Sequence, residues 1–283
     1  MARIAEELGV EIKLEEEVKN IEFQGRRATA IVSERGRYEC DATVINADFA
    51  RSMMKLVPNS LRRRWKDQRI RKAQYSCSTF MMYLGLDGIY DELPHHNIYV
   101  SRNYTENLRD IEQRHSLSED PSFYVQNACV TDASLAPKGQ STLYFLMPVT
   151  HESSHVDWSV ETERCRNLAM RKLESLGMHD IEPRIRYEQV FTPVDWDQQF
   201  QLHLGATFSM AHTLKQMLHL RPNNRFEDVD GIYLVGGGTH PGSGLPVIFE
   251  SARISSRLLL EDLGLEPMHR TLRTPREELA EAL

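Results

Sequence analysis

The segment that most constrains the fold lies near the carboxyl end, at residues 231–264. A short apolar run at residues 232–235 has the length and composition of a buried strand. A dense cluster of glycines follows, and after Pro246 apolar and small residues recur at spacings of three and four, which predicts a helix. Gly264 stands where a helix-ending glycine is expected. The segment therefore predicts a strand, a glycine-rich turn and a helix in succession.

Such a turn lets the backbone approach a ligand closely, because glycine has no side chain. The helix that follows presents free N–H groups and a partial positive charge at its first turn, which suit a phosphate or an electron-rich ring oxygen. The glycines are not spaced as in the G-x-G-x-x-G fingerprint of dinucleotide-binding domains, however. From the pattern alone, a cofactor site and a ligand-free structural turn both stay open.

Composition narrows the class of protein. The chain has 283 residues and a formal net charge of −7, with a sequence pI near 5.9, so no nucleic-acid-binding surface is expected. Its four cysteines are widely separated without a C-x-x-C pair, which predicts reduced thiols and no metal site. No apolar run is long enough to span a bilayer, and no secretory segment is found. We expect a cytoplasmic protein. The basic cluster at residues 62–72 is interpreted as a solvated helix face, with peripheral contact to the inner face of a membrane as the alternative.

The rest of the chain predicts a mixed α/β (α+β) fold. Alternating and apolar runs predict strands at residues 10–14, 18–23, 28–33, 38–47, 76–86, 98–101, 122–128, 141–149 and 181–190. Helices are predicted at residues 2–8, 49–57, 60–72 and 157–176, with another starting at Pro193. Long polar connections between the middle strands indicate a mostly antiparallel sheet. A buried irregular helix is expected near residues 208–220, with a membrane-facing segment as the alternative, and a surface loop at His95 and His96.

The order G-G-G-T-H-P-G-S-G-L-P at residues 236–246 closely resembles the carboxyl-terminal flavin-binding signature of bacterial and fungal phytoene desaturases, within the flavin amine oxidase superfamily. The stretches A-E-E-L-G-V-E-I, V-I-N-A-D and T-D-A-S-L-A-P-K-G-Q-S-T-L-Y are similar to the same family. This resemblance implies a partial Rossmann-like FAD-binding domain at residues 1–58 and 226–270, a substrate domain at residues 59–225 and a tail at residues 271–283. Because the glycine fingerprint of the family's first βαβ unit is not found, we expect the carboxyl-terminal portion of a longer enzyme.

The resemblance also implies that FAD lies against the glycine turn and near the ends of earlier strands. The cofactor contacts expected from it are Val18, Asn46, Asp48, Gly236, Gly237, Gly238, Thr239, His240, Pro241, Gly242, Gly244, Pro246 and Val247. The residues themselves leave other roles open, because Val18 also suits an ordinary strand and Asp48 also suits a helix cap. His240 is either an acid/base group or, as we favour, a structural donor of the loop. Val247 stands where relatives usually carry glycine, which bears on the substrate range.

The reaction implied by the resemblance is FAD-dependent dehydrogenation of a long apolar polyene, such as phytoene toward lycopene. Side chains cannot accept a hydride, so the flavin must do so. Two alternatives stay open: another reaction of a carotenoid or retinoid flavoprotein (isomerisation, saturation or terminal oxidation) and a non-catalytic truncated remnant. No catalytic residue is assigned; Asp195 and Asp197 are candidate carboxylates, although helix capping explains Asp195 equally well. Residues that line either a polyene channel or the protein core are Phe80, Met81, Met82, Tyr83, Phe123, Tyr124, Tyr144, Phe145 and Met147.

Overall fold

A computed structural model describes residues 1–266, so the predicted tail at residues 271–283 lies outside the described part of the chain. The helices are α1 (Ala2–Glu7), α2 (Phe49–Leu56), α3 (Asp67–Lys72), α4 (Tyr104–Arg109), α5 (Trp158–Ser175), α6 (Ile181–Arg184), α7 (Pro193–Gln198) and α8 (Leu245–Leu263). The strands are β1 (Val18–Gln24), β2 (Arg27–Ser33), β3 (Arg37–Glu39), β4 (Thr43–Ile45), β5 (Ser78–Asp87), β6 (His96–Tyr99), β7 (Phe123–Gln126), β8 (Gln140–Val149), β9 (Ile185–Phe191) and β10 (Ile232–Leu234).

These strands form three sheets. The amino-terminal strands make an antiparallel sheet in the order β1-β2-β3, and β4 pairs in parallel with β10 from the other end of the chain. The middle of the chain forms an antiparallel sheet of five strands in the order β6-β7-β8-β5-β9. The mixed fold class and the antiparallel middle sheet are thus confirmed.

The five-stranded sheet has one face in a hydrophobic core and an opposite face of different character. Successive side chains of a strand point to opposite faces, so the alternating pattern of the middle strands separates two sets. The set that packs in the core beneath α5 comprises Phe80, Met82, Phe123, Phe145 and Met147. The set on the opposite face comprises Met81, Tyr83, Tyr124 and Tyr144, where Tyr83 pairs directly with Tyr144. Each fully buried Phe or Met stabilises the fold by about 1.5–3 kcal/mol.

A second core joins the two ends of the chain. The β4–β10 pair and α2 pack there against side chains from residues 65–75 and 204–210. Phe49 of α2 meets Trp65 edge to face, with ring centroids 5.1 Å apart. Val57 and Phe226, which flank the two predicted domain boundaries, both belong to this core. The boundaries themselves stay a prediction.

At the amino end, one predicted strand is wrong in part and another is wrong altogether. The strand predicted at residues 38–47 is two strands, because β3 pairs antiparallel with β2 whereas β4 pairs in parallel with β10. The chain leaves one sheet at residues 40–42 and enters another, which periodicity within one run does not reveal. Residues 10–14 do not form a strand, since their exposed backbone pairs with none of the strands in the described part of the chain.

The helix predicted at residues 60–72 is confined to α3, and its basic cluster is not uniformly solvated. Arg62 is 1% exposed, and its guanidinium donates to the backbone oxygens of Val57 and Trp65 and to the Asp67 carboxylate. A buried cation needs such partners because it has lost its water. These contacts hold residues 58–66 in an irregular path, so the helical pattern is overridden.

Three further expectations differ from the structure. The strand predicted at residues 181–190 begins as α6 and becomes β9 only at Ile185. His96 opens the edge strand β6 instead of lying in a loop. Residues 208–220 contain only a single 3₁₀ turn, Leu218–Leu220, so the irregular helix is wrong; Met210 is buried there, whereas Leu214 is exposed.

Candidate functional site

The parallel pairing of β4 with β10 brings together two of the predicted cofactor contacts. Register places Ile45 opposite Leu234, so both strands end at the same edge. Asn46 and Gly236 follow immediately, and a Cβ on Gly236 would lie 3.1 Å from the Asn46 Oδ1. Gly236 also has a φ of +100°, a backbone conformation that residues other than glycine rarely adopt. The carboxyl ends of parallel strands are where open α/β sheets bind ligands.

The next two glycines are closely packed, and Gly238 leaves no room for a side chain. A Cβ on Gly238 would lie 2.9 Å from the Cβ of Phe49 and 2.9 Å from the Ser209 Oγ. A Cβ on Gly237 would lie 3.3 Å from the Cβ of Ser243, on the far side of the same turn. The triple glycine therefore lets the turn fold back on itself and pack on the first turn of α2.

The second half of the turn leads into the start of α8. Gly242 and Gly244 have φ values of +143° and +117°. Gly244 is the N-cap of the 19-residue helix and provides no side-chain cap, while Pro246 occupies the first turn. Pro fits there because the first N–H groups of a helix have no intrahelical partner. The helix thus presents uncapped backbone N–H groups beside two glycines.

Residues 222–226 hydrogen-bond to the turn, mostly at its backbone atoms. Asn224 is 4% exposed, and its Nδ2 lies 3.0 Å from the His240 oxygen and 3.1 Å from the Oγ atoms of Ser251 and Ser255. The Thr239 Oγ1 donates to the Pro222 oxygen at 2.6 Å. One buried amide therefore links the turn to two successive turns of α8. These contacts account for the burial of Thr239 and give it a structural role.

Arg221 adds a buried positive charge against the same turn. Its side chain is fully buried, and its Nη2 donates to the Gly237 oxygen at 2.8 Å and to the Met210 oxygen at 3.2 Å. Its Nη1 donates to the Gln216 oxygen at 3.3 Å, no carboxylate forms an ion pair with it among the described residues, and its Nε has no hydrogen-bond partner there. Burial lowers the pKa of Arg221 to about 10, so the guanidinium stays charged at neutral pH. The turn accordingly sits in a locally positive environment that favours electron-rich groups.

A cavity of about 770 Å³ opens beside the turn at Ser243 and Gly244. At these two residues the turn borders open space, whereas Thr239 and Gly242 of the same turn are buried. Titratable side chains of the cavity wall are Tyr75, Cys77, Glu112, His115, His151 and His212. Burial raises the pKa of the Cys77 thiol to about 11, which leaves it protonated and unreactive. Burial and the neighbouring His151 lower the pKa of His115.

His240 faces a different space. It lines a separate cavity of about 800 Å³ together with Arg225 and Asp262. Its backbone N–H donates to the Pro222 oxygen at 3.0 Å, and its Nδ1 lies 3.4 Å from the Leu218 oxygen. The peptide bond between His240 and Pro241 is cis. These contacts favour the structural role over the acid/base role for His240.

The remaining predicted residues have local roles. Asp48 caps α2 by accepting from the Arg51 N–H at 2.9 Å, and burial raises the pKa of its carboxyl. Asp195 forms a capping box with Thr192 at the start of α7. Val18 opens β1 opposite Ser33. The contacts of Val18, Asp48 and the turn residues with a cofactor stay predictions.

Val247 and Asp197 complete the predicted set. Val247 is half-buried in the first turn of α8, and its Cγ2 would lie 3.8 Å from a Cβ on Gly244. Its side chain therefore lies back against the turn. Asp197 forms an ion pair with Arg51 at 2.5 Å, which ties α7 to α2.

Sequence reasoning missed three residues that shape the turn: His212, Arg221 and Asn224. All three lie in the 208–224 segment, where the sequence predicted an irregular helix near residues 208–220 and the structure has a single 3₁₀ turn, so the predicted pattern could not place these side chains. A usable signal was present in L-R-P-N-N-R at residues 220–225, because a proline followed by two asparagines suits a segment that hydrogen-bonds to backbone groups. Within residues 1–266, no helix is long and apolar enough to cross a membrane.

Comparison with known proteins identifies the fold and its relatives. The sequence profile of the family described as "Flavin containing amine oxidoreductase" matches residues 1–260. Among solved structures, a redesigned putrescine oxidase superposes with a TM-score of 0.55 at 10% identity, covering 93% of this chain and 51% of that one. An oxidoreductase from Methanosarcina mazei gives a TM-score of 0.50 at 15% identity, covering 85% of this chain and 49% of that one. At such identities the likeness concerns the fold.

Curated relatives are more similar in sequence. The chain is 44% identical over 261 residues to a 4,4'-diapophytoene desaturase (4,4'-diapolycopene-forming) of a Methylomonas species, covering 92% of this chain and 51% of the relative. It is 41% identical over 272 residues to an all-trans-zeta-carotene desaturase of Myxococcus xanthus, covering 95% of this chain and 51% of the relative. A phytoene desaturase (lycopene-forming) of Pantoea ananas is 34% identical, at 93% and 54% coverage. The chain thus spans about half the length of these relatives.

The profile match over nearly the whole chain supports FAD as the cofactor and confirms the predicted superfamily. The chain belongs to the family of flavin-containing amine oxidoreductases, with carotenoid desaturases among its relatives.

Proposed function

We propose that this chain provides the flavin-side turn and the substrate sheet of an FAD-dependent carotenoid desaturase, which dehydrogenates a long apolar polyene of the phytoene or diapophytoene type. The names of the three curated relatives support this reaction class. The observation that carries the proposal is the uncapped start of α8, which follows two positive-φ glycines and borders the cavity of about 770 Å³. The bound flavin would supply the two-electron acceptor that side chains lack.

The residues of the turn fit a flavin. The Cβ positions of Gly236 and Gly238 point at Asn46, Phe49 and Ser209, so these glycines let the turn pack closely on the protein, and we propose that its main chain provides the surface that a planar ring would contact. The uncapped N–H groups at the start of α8 and the buried charge of Arg221 provide donors and a positive potential for the ring's electron-rich edge. Asn46, at the end of β4, lies beside Gly236 and would complete the contact.

The second face of the five-stranded sheet suits the polyene. Tyr83 lies against Tyr144 with ring centroids 5.2 Å apart and against Phe191 at 5.8 Å. The Tyr144 hydroxyl lies 3.9 Å from the Met81 sulfur. Burial raises the pKa of Tyr144 to about 12, so this surface stays neutral at physiological pH. A neutral aromatic and thioether surface binds an extended hydrocarbon through its shape and apolar area.

The experiment is dehydrogenation by the purified holoenzyme of a panel of C30 and C40 polyenes, with products separated by chromatography. Added double bonds in the product, together with a flavin spectrum that bleaches on anaerobic addition of substrate, are the expected result. Tyr83→Ala should raise the polyene KM about three- to tenfold because it removes about 1 kcal/mol of contact. Tyr104→Ala is the matched control, since this exposed tyrosine lies outside the sheet. Equal KM values for both variants would contradict the assignment of this face.

The same panel distinguishes the alternatives. An isomerase or a saturase would change double-bond geometry or remove double bonds, and a terminal oxidase would add oxygen. A non-catalytic remnant would retain no flavin and leave every polyene unchanged. Each outcome is read from the product mass and absorption spectrum.

We also propose that the protein collects its substrate at the cytoplasmic face of a membrane. Long polyenes dissolve in the hydrocarbon layer, and exposed apolar side chains lie at the start of α8 (Leu245 and Phe249) and in the segment that contacts the turn (Leu214 and Leu218). The test is flotation with vesicles of phosphatidylcholine and phosphatidylglycerol. Leu214→Ser combined with Leu245→Ser should lower vesicle binding severalfold, whereas Leu135→Ser, at another exposed leucine, should not. Equal flotation of all variants would argue against this contact.

A further inference from the structure

The glycine turn is bound by a single imidazole on its cavity side. The Ser243 N–H donates to the His212 Nε2 at 3.1 Å. A Cβ on Gly242 would lie 3.1 Å from the same nitrogen, so the ring packs directly against the backbone of two consecutive residues. Ser243 immediately precedes Gly244, the N-cap of α8. His212 therefore contacts the turn at the point where it meets the cavity.

This hydrogen bond is possible in only one charge state of His212. A ring nitrogen accepts a hydrogen bond only while it carries no proton, so the contact requires a neutral imidazole with its proton on Nδ1. In the protonated ring both nitrogens are donors, and the Nε2–H would then point at the Ser243 N–H. Protonation thus replaces an attraction by a repulsion between two donors.

The charges around His212 favour the neutral form at neutral pH. Loss of solvation and the nearby Arg221 guanidinium lower the pKa of His212 below its ordinary value of 6.5. Arg221 lies in the same segment and contacts the other half of the turn at Gly237. Across the cavity the titratable wall groups are Tyr75, Cys77, Glu112, His115 and His151.

We propose that His212 is a positioning residue for the flavin and that its neutral imidazole holds the turn in the binding conformation. The proposal rests on the proposed function, which puts the flavin against this turn. Gly242 and Gly244 have wide conformational freedom, so an unanchored turn would lose entropy on binding the ring. The bond from Ser243 removes part of that freedom beforehand. Flavin affinity should consequently fall when the medium becomes acidic enough to protonate His212.

The experiment compares wild-type holoenzyme with two variants and a matched control. His212→Gln keeps an acceptor oxygen near the place of Nε2 but does not titrate, whereas His212→Leu removes the acceptor. His219→Gln is the control, because this exposed histidine lies in the same segment and its ring makes no hydrogen bond within the described residues. FAD dissociation constants are measured by flavin fluorescence between about pH 4.5 and pH 8, a range that extends about two units below the ordinary histidine pKa because the pKa of His212 is lowered. Histidine ring ¹⁵N spectra, assigned with the Gln variant, report the tautomer of His212 independently of activity.

The wild type and the control should bind FAD about three- to tenfold more weakly at the acid end than at the neutral end, as expected for one hydrogen bond. His212→Gln should bind at the neutral wild-type level throughout, and His212→Leu at the weak level throughout. The spectra should show an unprotonated Nε2 at neutral pH. A proton on Nε2 at neutral pH, an unchanged pH dependence in the Gln variant or full affinity in the Leu variant would each overturn the proposal. If none of these proteins retains FAD while the spectra show the expected tautomer, the proposed function fails instead.

Discussion

Replacing Asn224 by alanine should destabilise the protein through loss of one buried amide. The Nδ2 of Asn224 lies within 3.3 Å of acceptors on three elements: the oxygen of Leu234, the oxygen of His240, and Ser251 and Ser255. Leu234 keeps a second donor, because the Ser255 hydroxyl also binds its oxygen at 2.6 Å. The His240 oxygen loses its side-chain donor. One orphaned acceptor, one lost hydrogen bond and a small cavity together give about 2–4 kcal/mol.

The assay is urea unfolding of the holoenzyme, followed by circular dichroism and flavin fluorescence. Asn223→Ala is the matched control, because the neighbouring side chain is partly exposed and makes no hydrogen bond within residues 1–266. We expect the control to change the free energy of unfolding by less than about 0.5 kcal/mol. Asn224→Asp should be at least as damaging as alanine, since a carboxylate would face the same acceptors. The reasoning is refuted if Asn224→Ala and Asn223→Ala unfold at the same urea concentration.

Three further predictions concern packing and pH. Gly238→Ala should lower the free energy of unfolding by about 1–3 kcal/mol, because the added methyl would lie 2.9 Å from the Phe49 side chain. Gly36→Ala is the control, since its methyl would meet nothing nearer than 3.8 Å. Equal unfolding midpoints of the two variants would contradict the clash. Phe145→Ala should cost about 3–5 kcal/mol in the core of the sheet, against less than about 0.5 kcal/mol for the exposed Ile98→Ala, as measured by urea unfolding. The pKa of His115, His203 and His212 is lowered from 6.5 in the folded protein. The unfolded chain therefore binds more protons than the folded one below that pH, and the free energy of unfolding should fall as the pH drops below 6.5. A free energy of unfolding that stays constant as the pH falls from about 7.5 to below the lowered pKa values would disprove this.

The sequence predicted the elements whose pattern is local. The strand, glycine turn and helix around Gly244, the C-cap at Gly264 and the alternating strands of the middle sheet all follow from spacing that a single element imposes. Alternation could not decide which face of the sheet is the core, because both faces carry apolar side chains. Only packing against α5 separates Phe145 from its neighbour Tyr144.

What the sequence did not predict depends on partners far along the chain. The split of residues 38–47 into two strands is set by β10, which lies almost two hundred residues later. Arg62 reads as part of a basic surface cluster because periodicity does not reveal the irregular path of its segment, in which the N–H groups of Arg64 and Trp65 donate to the distant Asp228 carboxylate. His212 falls in the wrongly predicted helix at residues 208–220 and is assigned no role from the sequence, because only the folded turn brings the Ser243 N–H to its ring. In each case a long-range contact overrides a local preference.

The segment at residues 222–226 recognises the turn almost wholly by main-chain atoms, at the oxygens of Leu234 and His240 and the N–H of His240. The path of the turn is therefore determined by its hydrogen bonds to residues 222–226. Exposed side chains such as Leu245 and Phe249 take no part in these hydrogen bonds. These exposed residues can therefore be exchanged without loss of the hydrogen bonds that determine the path of the turn.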